Sequence, residues 1–342
     1  SHVNTSKCEY LLLEFCQTAN IEHRGHILPP LKLQVTATNM QTAPATLHSA
    51  IHRLQDTAFL GTYTFALRNN ASLLHGKTCV VLGDGVGLLA IVAAQCGCSK
   101  VYALENSELA KDIPLLAASN GVGDRVVAVQ CKVDDPKADE LIPKKVDIVL
   151  SMPLTLLCLH DSPLKELAFA RDRWLKKDGI LIPRQLSIFM APLTDGATHA
   201  YLKSQADFWD DTNFFGIDFS KMKDAAYLEH FSQPMAGQLD QDSLMCTIPN
   251  KFDIDLTTIA PNALDNMTMP FLFRCDHRGI AHGFGFWFEL RLGIRETKGE
   301  SVVSWWWFCG GLCFLWFLWF FCGLLRLATC DLRLATCFGE CF

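Results

Sequence analysis

The residues best placed to do chemistry lie between Cys79 and Glu105, in CVVLGDGVGLLAIVAAQCGCSKVYALE. Gly83, Gly85 and Gly87 stand in a GxGxG spacing. Such a turn lets the backbone reverse sharply and lets a ligand approach main-chain N–H groups. Glu105 follows about 20 residues on, where an acid can accept hydrogen bonds from ribose hydroxyls. The spacing departs from the GxGxxG of a dinucleotide site and points toward S-adenosyl-L-methionine. The plain alternative is an ordinary strand–helix loop followed by a surface acid.

The elements that must carry these residues are legible around them. The apolar run 79–82 reads as a buried strand, 88–95 continues with helical periodicity, and 100–104 is a second strand ending on Glu105. Further on, 107–119 reads as a helix stopped by Asn120-Gly121, 125–130 as a third strand, 146–150 as a fourth, 163–175 as a helix and 179–182 as a fifth strand. This alternation predicts a doubly wound, mainly parallel α/β sheet with its ligand beyond the carboxyl ends of the strands. Ahead of it, 47–54 reads as a helix and a second helix runs on to Leu74, whereas 1–46 shows little periodicity. From Leu186 the pattern becomes strand-like (186–191, 253–256, 269–274, 283–292), which predicts an all-β second domain holding a polar and aromatic excursion at 201–239.

Half of the 342 residues are hydrophobic, enough for a sizeable core, and the net charge of −6 gives no general drive toward nucleic acid or anionic lipid. The 15 cysteines are scattered, without CxxC or zinc-ligand spacing, and those in the body read as reduced, buried thiols of an intracellular protein. No signal-peptide pattern opens the sequence, which begins at Ser1 and reads as a possible fragment. The stretch 301–325 carries no charge and is dominated by Trp, Phe, Leu and Cys, and LRLATC then occurs twice. A run of this length could span a bilayer, which takes ~20 residues. It reads in three ways: sequence never selected as protein, which the repeat and the Trp cluster favour; a membrane anchor; or further barrel strands.

Residues 47–292 resemble a protein arginine methyltransferase, most of all the coactivator-associated, histone-directed type I member. The carriers are LQDTAFLGTY (54–63), the GDGVG turn, VYALENS (101–107), GDRVVAVQCKVDD (123–135), KVDIVLSMP (145–153), ARDRWLKKDGILIP (170–183), FWDDTNFFGIDFS (208–220) and AHGFGFWFEL (281–290). The resemblance implies a Rossmann-like class I S-adenosylmethionine-dependent methyltransferase sheet followed by a β-barrel-like domain, here incomplete. It also implies a dimerisation arm near 201–239. The expected division is an N-terminal segment 1–46, the donor-binding domain 47–184, the barrel-like domain 185–295 and a hydrophobic tail 296–342.

The resemblance also implies roles for single residues, and several are missing. Two glutamates in a pattern like SExxxxxxxxE hold the substrate guanidinium by bidentate hydrogen bonds. Here Met152 stands at the first position and Asp161, one methylene shorter, at the second. Phe59 stands where an arginine grips the donor's carboxylate, and Val81 where an acid precedes the first glycine. Asp84 adds an anion inside the glycine turn, close to where that carboxylate is expected. Glu105 matches the ribose-binding acid, Asp134 matches the acid near the adenine, and Asp56 and His282 match a pair that ties the first helix to a barrel loop. For His282 a purely structural role is an equal alternative.

These losses fall on charged functional positions while core patterning survives, which drift alone would not produce. The sequence thus implies a pseudoenzyme acting as a homodimer, or as a heterodimer with an active arginine methyltransferase, in nucleus and cytoplasm. S-adenosyl-L-methionine binding would be weakened or lost. The competing expectation is an active transferase acting on histones or other Arg-rich proteins; a membrane-tethered scaffold through 301–325 is the third.

Overall fold

The computed structural model describes residues 19–21, 26–27, 31–36, 45–153, 155–159, 163–231, 239–296 and 299–309. Three short strands come first, β1 (Ala19–Ile21), β2 (His26–Ile27) and β3 (Leu31–Thr36). Two helices then approach the sheet. In α1 (Leu47–Gln55), Leu47, Ala50, Ile51 and Leu54 recur at helical spacing. Asp56 separates it from α2 (Thr57–Asn69) and caps that helix. Asn70 interrupts the expected long helix, and α3 (Ala71–Leu74) completes it.

The parallel sheet is built from β4 (Thr78–Leu82), β5 (Lys100–Leu104), β6 (Val126–Val129), β7 (Val146–Ser151) and β8 (Leu175–Ile182). Between them run α4 (Leu88–Gln95), α5 (Ile113–Ser119), α6 (Lys137–Leu141) and α7 (Pro163–Trp174). The expected helix over 107–119 is shorter, because a 3-10 turn precedes Pro114 near the start of α5. The order is β6-β5-β4-β7-β8, with every pairing parallel. From β4 the chain winds one way through β5 and β6, then returns to the other side of β4 with β7. That reversal opens the crevice in which ligands of such sheets sit.

The second domain starts with β9 (Gln185–Leu193). The excursion is a helical arm, α8 (Gly196–Asp207) and α9 (Lys223–Phe231), joined by aromatic turns. Then come β10 (Asn250–Asp255), β11 (Asn266–Phe271), β12 (Arg274–Cys275), β13 (Gly279–Ala281), β14 (Gly283–Glu296) and β15 (Gly299–Cys309). The main antiparallel sheet runs β10-β9-β14-β15. Along β14, Phe284, Phe286, Phe288, Leu290 and Leu292 are buried in the core shared with the parallel sheet, the period-2 face that alternation predicts. Trp287 belongs to the opposite face and stacks on Phe189 at 5.5 Å and 4°. Arg171 of α7 donates to the carbonyls of Leu256 and Ile259 and fastens the two domains together.

The segment 1–46, which shows little periodicity, carries strands: β1, β2 and β3 pair antiparallel with β13, β12 and β11. One expectation is corrected here: the boundary at 295 is misplaced. β15 pairs with β14 from Phe284↔Cys309 to Glu296↔Gly299, with Trp287 opposite Trp306, so 301–309 belongs to the sheet and is not the start of an anchor or a foreign tail. Backbone N–H and C=O groups of these residues gain ladder partners that a bilayer would not supply. No helix among the described residues is long and apolar enough to cross a membrane. Residues 310–342 lie outside the described residues. Cys79, Cys96, Cys98, Cys131, Cys158, Cys246 and Cys275 are buried free thiols.

Candidate functional site: the glycine turn and the loop after the fourth parallel strand

The glycine turn follows β4 directly. Gly83, Gly85 and Gly87 all take positive φ, and a Cβ on Gly87 would meet Ile113 Cγ2 at 2.9 Å, so this turn needs glycine. The carboxylate of Glu105 sits at the end of β5, where the sequence places it. Its Oε2 accepts from Gly85 N at 2.8 Å and its Oε1 from Ser107 N at 2.9 Å. Both oxygens therefore already hold main-chain donors.

Asp84 is the feature with the largest chemical consequence. It is buried, and its Oδ1 and Oδ2 accept from Leu89 N at 3.0 Å and Ala90 N at 2.8 Å. These N–H groups belong to the first turn of α4, where unsatisfied donors and the helix dipole would otherwise attract an external anion. The carboxylate anticipated as a repulsive neighbour of the donor is thus a fixed occupant of the helix N-terminus.

Phe59 is fully buried, its ring 5.0 Å from that of Tyr63. Its position contributes apolar packing and no cation. Met152, half-buried after β7, joins Ala50, Leu54, Leu60, Asp84, Gly85, Val86 and Leu88 around a shallow hollow beside the glycine turn. Asp161 lies outside the described residues. Asp134 is exposed, and with Glu105 it acts on a residue that sequence reasoning missed, Glu166 of α7. Part of Glu166 reaches solvent, yet the surrounding chain desolvates its carboxyl. Together with the carboxylates of Asp134 and Glu105, this pushes it up to about 7.

The expected Asp56–His282 pair is not made. Asp56 accepts from Phe59 N at 3.1 Å, and burial pushes its carboxyl up to about 6. His282 instead accepts at Nδ1 from Asp195 N at 3.1 Å, at the root of the arm. The capping demand of α2 holds the acid, and the arm root holds the imidazole. Two further residues escaped sequence reasoning. Leu157 and Cys158, both buried, take φ of 51° and 60° in the loop after β7, a conformation non-glycine residues adopt at a cost. Among the described residues the hydroxyl of buried Tyr63 has no hydrogen-bond partner.

Comparison with known proteins agrees with this architecture. Residues 185–305 match the arginine methyltransferase oligomerization subdomain. A probable protein arginine N-methyltransferase 6 of Arabidopsis thaliana is 32% identical over 75% of this chain and 59% of its own length. A probable histone-arginine methyltransferase CARM1 of Oryza sativa is 32% identical over 74% of this chain and 46% of its own. The chain belongs to the protein arginine methyltransferase family. It spans about half the length of the curated relatives it matches. Among solved structures, Arabidopsis thaliana protein arginine methyltransferase 10 aligns with a TM-score of 0.63 at 23% identity, covering 76% of this chain and 77% of that one. The Trypanosoma brucei PRMT1 enzyme–prozyme complex with AdoHcy aligns with a TM-score of 0.59 at 23% identity, covering 75% of each. In this family member the match runs through most of β15, in keeping with its place in the sheet.

Proposed function

We propose that this chain is an arginine methyltransferase-fold subunit impaired in methyl transfer, acting through dimerisation or binding. The observation that carries the reading is Asp84 seated on Leu89 N and Ala90 N. S-adenosyl-L-methionine, which would supply the methyl group, does not fit the residues present. Its carboxylate would meet a fixed anion at α4 and a buried phenyl ring at Phe59. Removing one charge-assisted hydrogen bond alone costs ~1.5–3 kcal/mol, about tenfold or more in affinity.

The guanidinium side is weakened separately. Met152 offers a thioether where a carboxylate would hold and neutralise the guanidinium, and an unpaired buried charge costs several kcal/mol. Losing a contact needed in the transition state lowers turnover. The arm and the matched oligomerization subdomain support a role in assembly, as a homodimer or beside an active arginine methyltransferase. An enzyme–prozyme pairing occurs in one solved neighbour of the same fold.

The test is transfer of radiolabelled methyl from S-adenosyl-L-methionine to a histone peptide by the full chain. We expect incorporation at the no-enzyme background. Counts well above it would replace this reading with that of a working histone or protein arginine N-methyltransferase.

A further inference from the structure

The arm leaves the barrel at Thr194 and Asp195, between β9 and α8. There the turn between β13 and β14 presents His282. Its own N–H donates to Leu193 O at 2.9 Å, which fixes the residue on the barrel. Its Nδ1 lies 3.1 Å from Asp195 N and 3.3 Å from Thr194 Oγ1. A main-chain N–H can only donate, so Nδ1 is the acceptor and the ring is neutral with its proton on Nε2. Asp195 is the N-cap of α8, with its Oδ1 accepting from Thr198 N at 2.9 Å. The imidazole therefore fastens the capping residue of the arm's first helix.

We propose that His282 is an acid-sensitive latch at the root of the arm, fastening α8 to the barrel when neutral and releasing it when protonated. Protonation at Nδ1 turns the acceptor into a donor facing the Asp195 N–H and places a cation beside a second imidazole. His199, in the first turn of α8, has its ring centroid 5.1 Å from that of His282. The titratable groups acting on His282 are His199 on α8 and Asp195 at the junction; α9 contributes Phe231, packed against His199 at 5.3 Å. The Asp195 carboxylate favours the cation but already serves Thr198 N. Burial first, and His199 second, hold the imidazole below its usual range, against the pull of Asp195. With a depressed folded value, the contribution of the latch is present above the unfolded value of about 6.5 and is lost as pH falls through the lower folded value. If the arm joins subunits, as proposed above, release of its root weakens that assembly in acid.

Hydrogen exchange of the full chain, read by mass spectrometry over residues 194–203 and corrected for intrinsic rates, tests this at pH 8 and pH 5.5. We expect protection of that segment to fall several-fold, up to about tenfold, in acid. His282→Asn puts an amide oxygen near the position of Nδ1, accepts from Asp195 N and cannot titrate, so its protection should change less than twofold. His199→Phe keeps a ring against Phe231 and removes the second imidazole; release should then move to higher pH. The proposal is overturned if the unaltered chain holds its protection at pH 5.5. It is equally overturned if His282→Asn loses as much as the unaltered chain, or if His199→Phe leaves the midpoint in place. Sedimentation at both pH values separates the two readings. A mass that does not fall in acid, with the exchange behaving as expected, leaves the latch standing and removes the arm-joined assembly.

Discussion

At the residue scale, two side chains in and around the site, Asp56 and Tyr63, carry a cost of burial. Asp56 caps α2 but is buried, and its carboxyl is pushed up to about 6 from an ordinary value of 3.8. A raised acid favours folding at low pH and loses that contribution as pH rises through the folded value. Asp56→Asn keeps a capping oxygen without a charge to bury. It should raise the urea midpoint at pH 8, by the equivalent of about 1 kcal/mol, with the gain vanishing near pH 4, since one pKa unit corresponds to ~1.4 kcal/mol and relaxation reduces the full shift. A gain independent of pH would mean that burial of the charge is not its source. Tyr63 carries a hydroxyl without a partner among the described residues inside the core. Tyr63→Phe removes a buried group whose desolvation costs about 1–3 kcal/mol, so thermal unfolding should move up or stay level; a clear loss of stability would reveal a partner. At this scale the sequence located the glycine turn and the place of Glu105 at the end of β5. It could not show where Asp84 points, because a carboxylate near a helix start can face a ligand or the helix itself, and only the fold decides.

At the scale of elements, long apolar runs announced themselves and short or foreign-looking ones did not. β4, β5, β7, α4 and α7 were legible because strand and helix periods differ and each run is bounded by turn residues. β3 alternates as Leu-Lys-Leu-Gln-Val-Thr and could have been read. Its partner β11 lies more than 200 residues away, beyond any local signal. β15 misled for another reason. Val-Val-Ser-Trp-Trp-Trp-Phe-Cys looks like membrane sequence when read alone, whereas its register against β14 makes it the fourth strand of a sheet. Removing residues 299–342 should therefore strip the ladder from β14 and expose the edge beside Phe286 and Phe288. We expect a melting midpoint lower by several degrees, or aggregation. A truncated chain that stays soluble with an unchanged midpoint would show that β15 contributes nothing to the fold.

At the scale of the molecule, a retained core joins two regions of opposite character, a glycine turn whose acids hold main-chain donors and an arm rich in exposed apolar groups. Phe215 is 92% exposed at the tip of the turn between Phe214 and Ile217, and Phe208, Met222 and Leu228 are exposed nearby in the chain. Large exposed apolar surface marks an interface more often than a free surface. Sedimentation at micromolar concentration should give about twice 38.2 kDa, and Phe215→Ser with Leu228→Ser should shift the mass toward the single chain. Equal masses for the two proteins would take the arm out of the assembly. The domain order and the arm were foreshadowed by collinear motifs, whereas the hydrogen bonds that Asp84 and Glu105 make were not, since only the fold decides them. The proposed loss of donor binding is tested most directly by calorimetric titration of the full chain with S-adenosyl-L-methionine. We expect no saturable heat at micromolar concentrations from the unaltered chain, and measurable binding after Phe59→Arg combined with Asp84→Gly, which frees the N-terminus of α4 and supplies a cation. Micromolar binding by the unaltered chain would contradict that proposal.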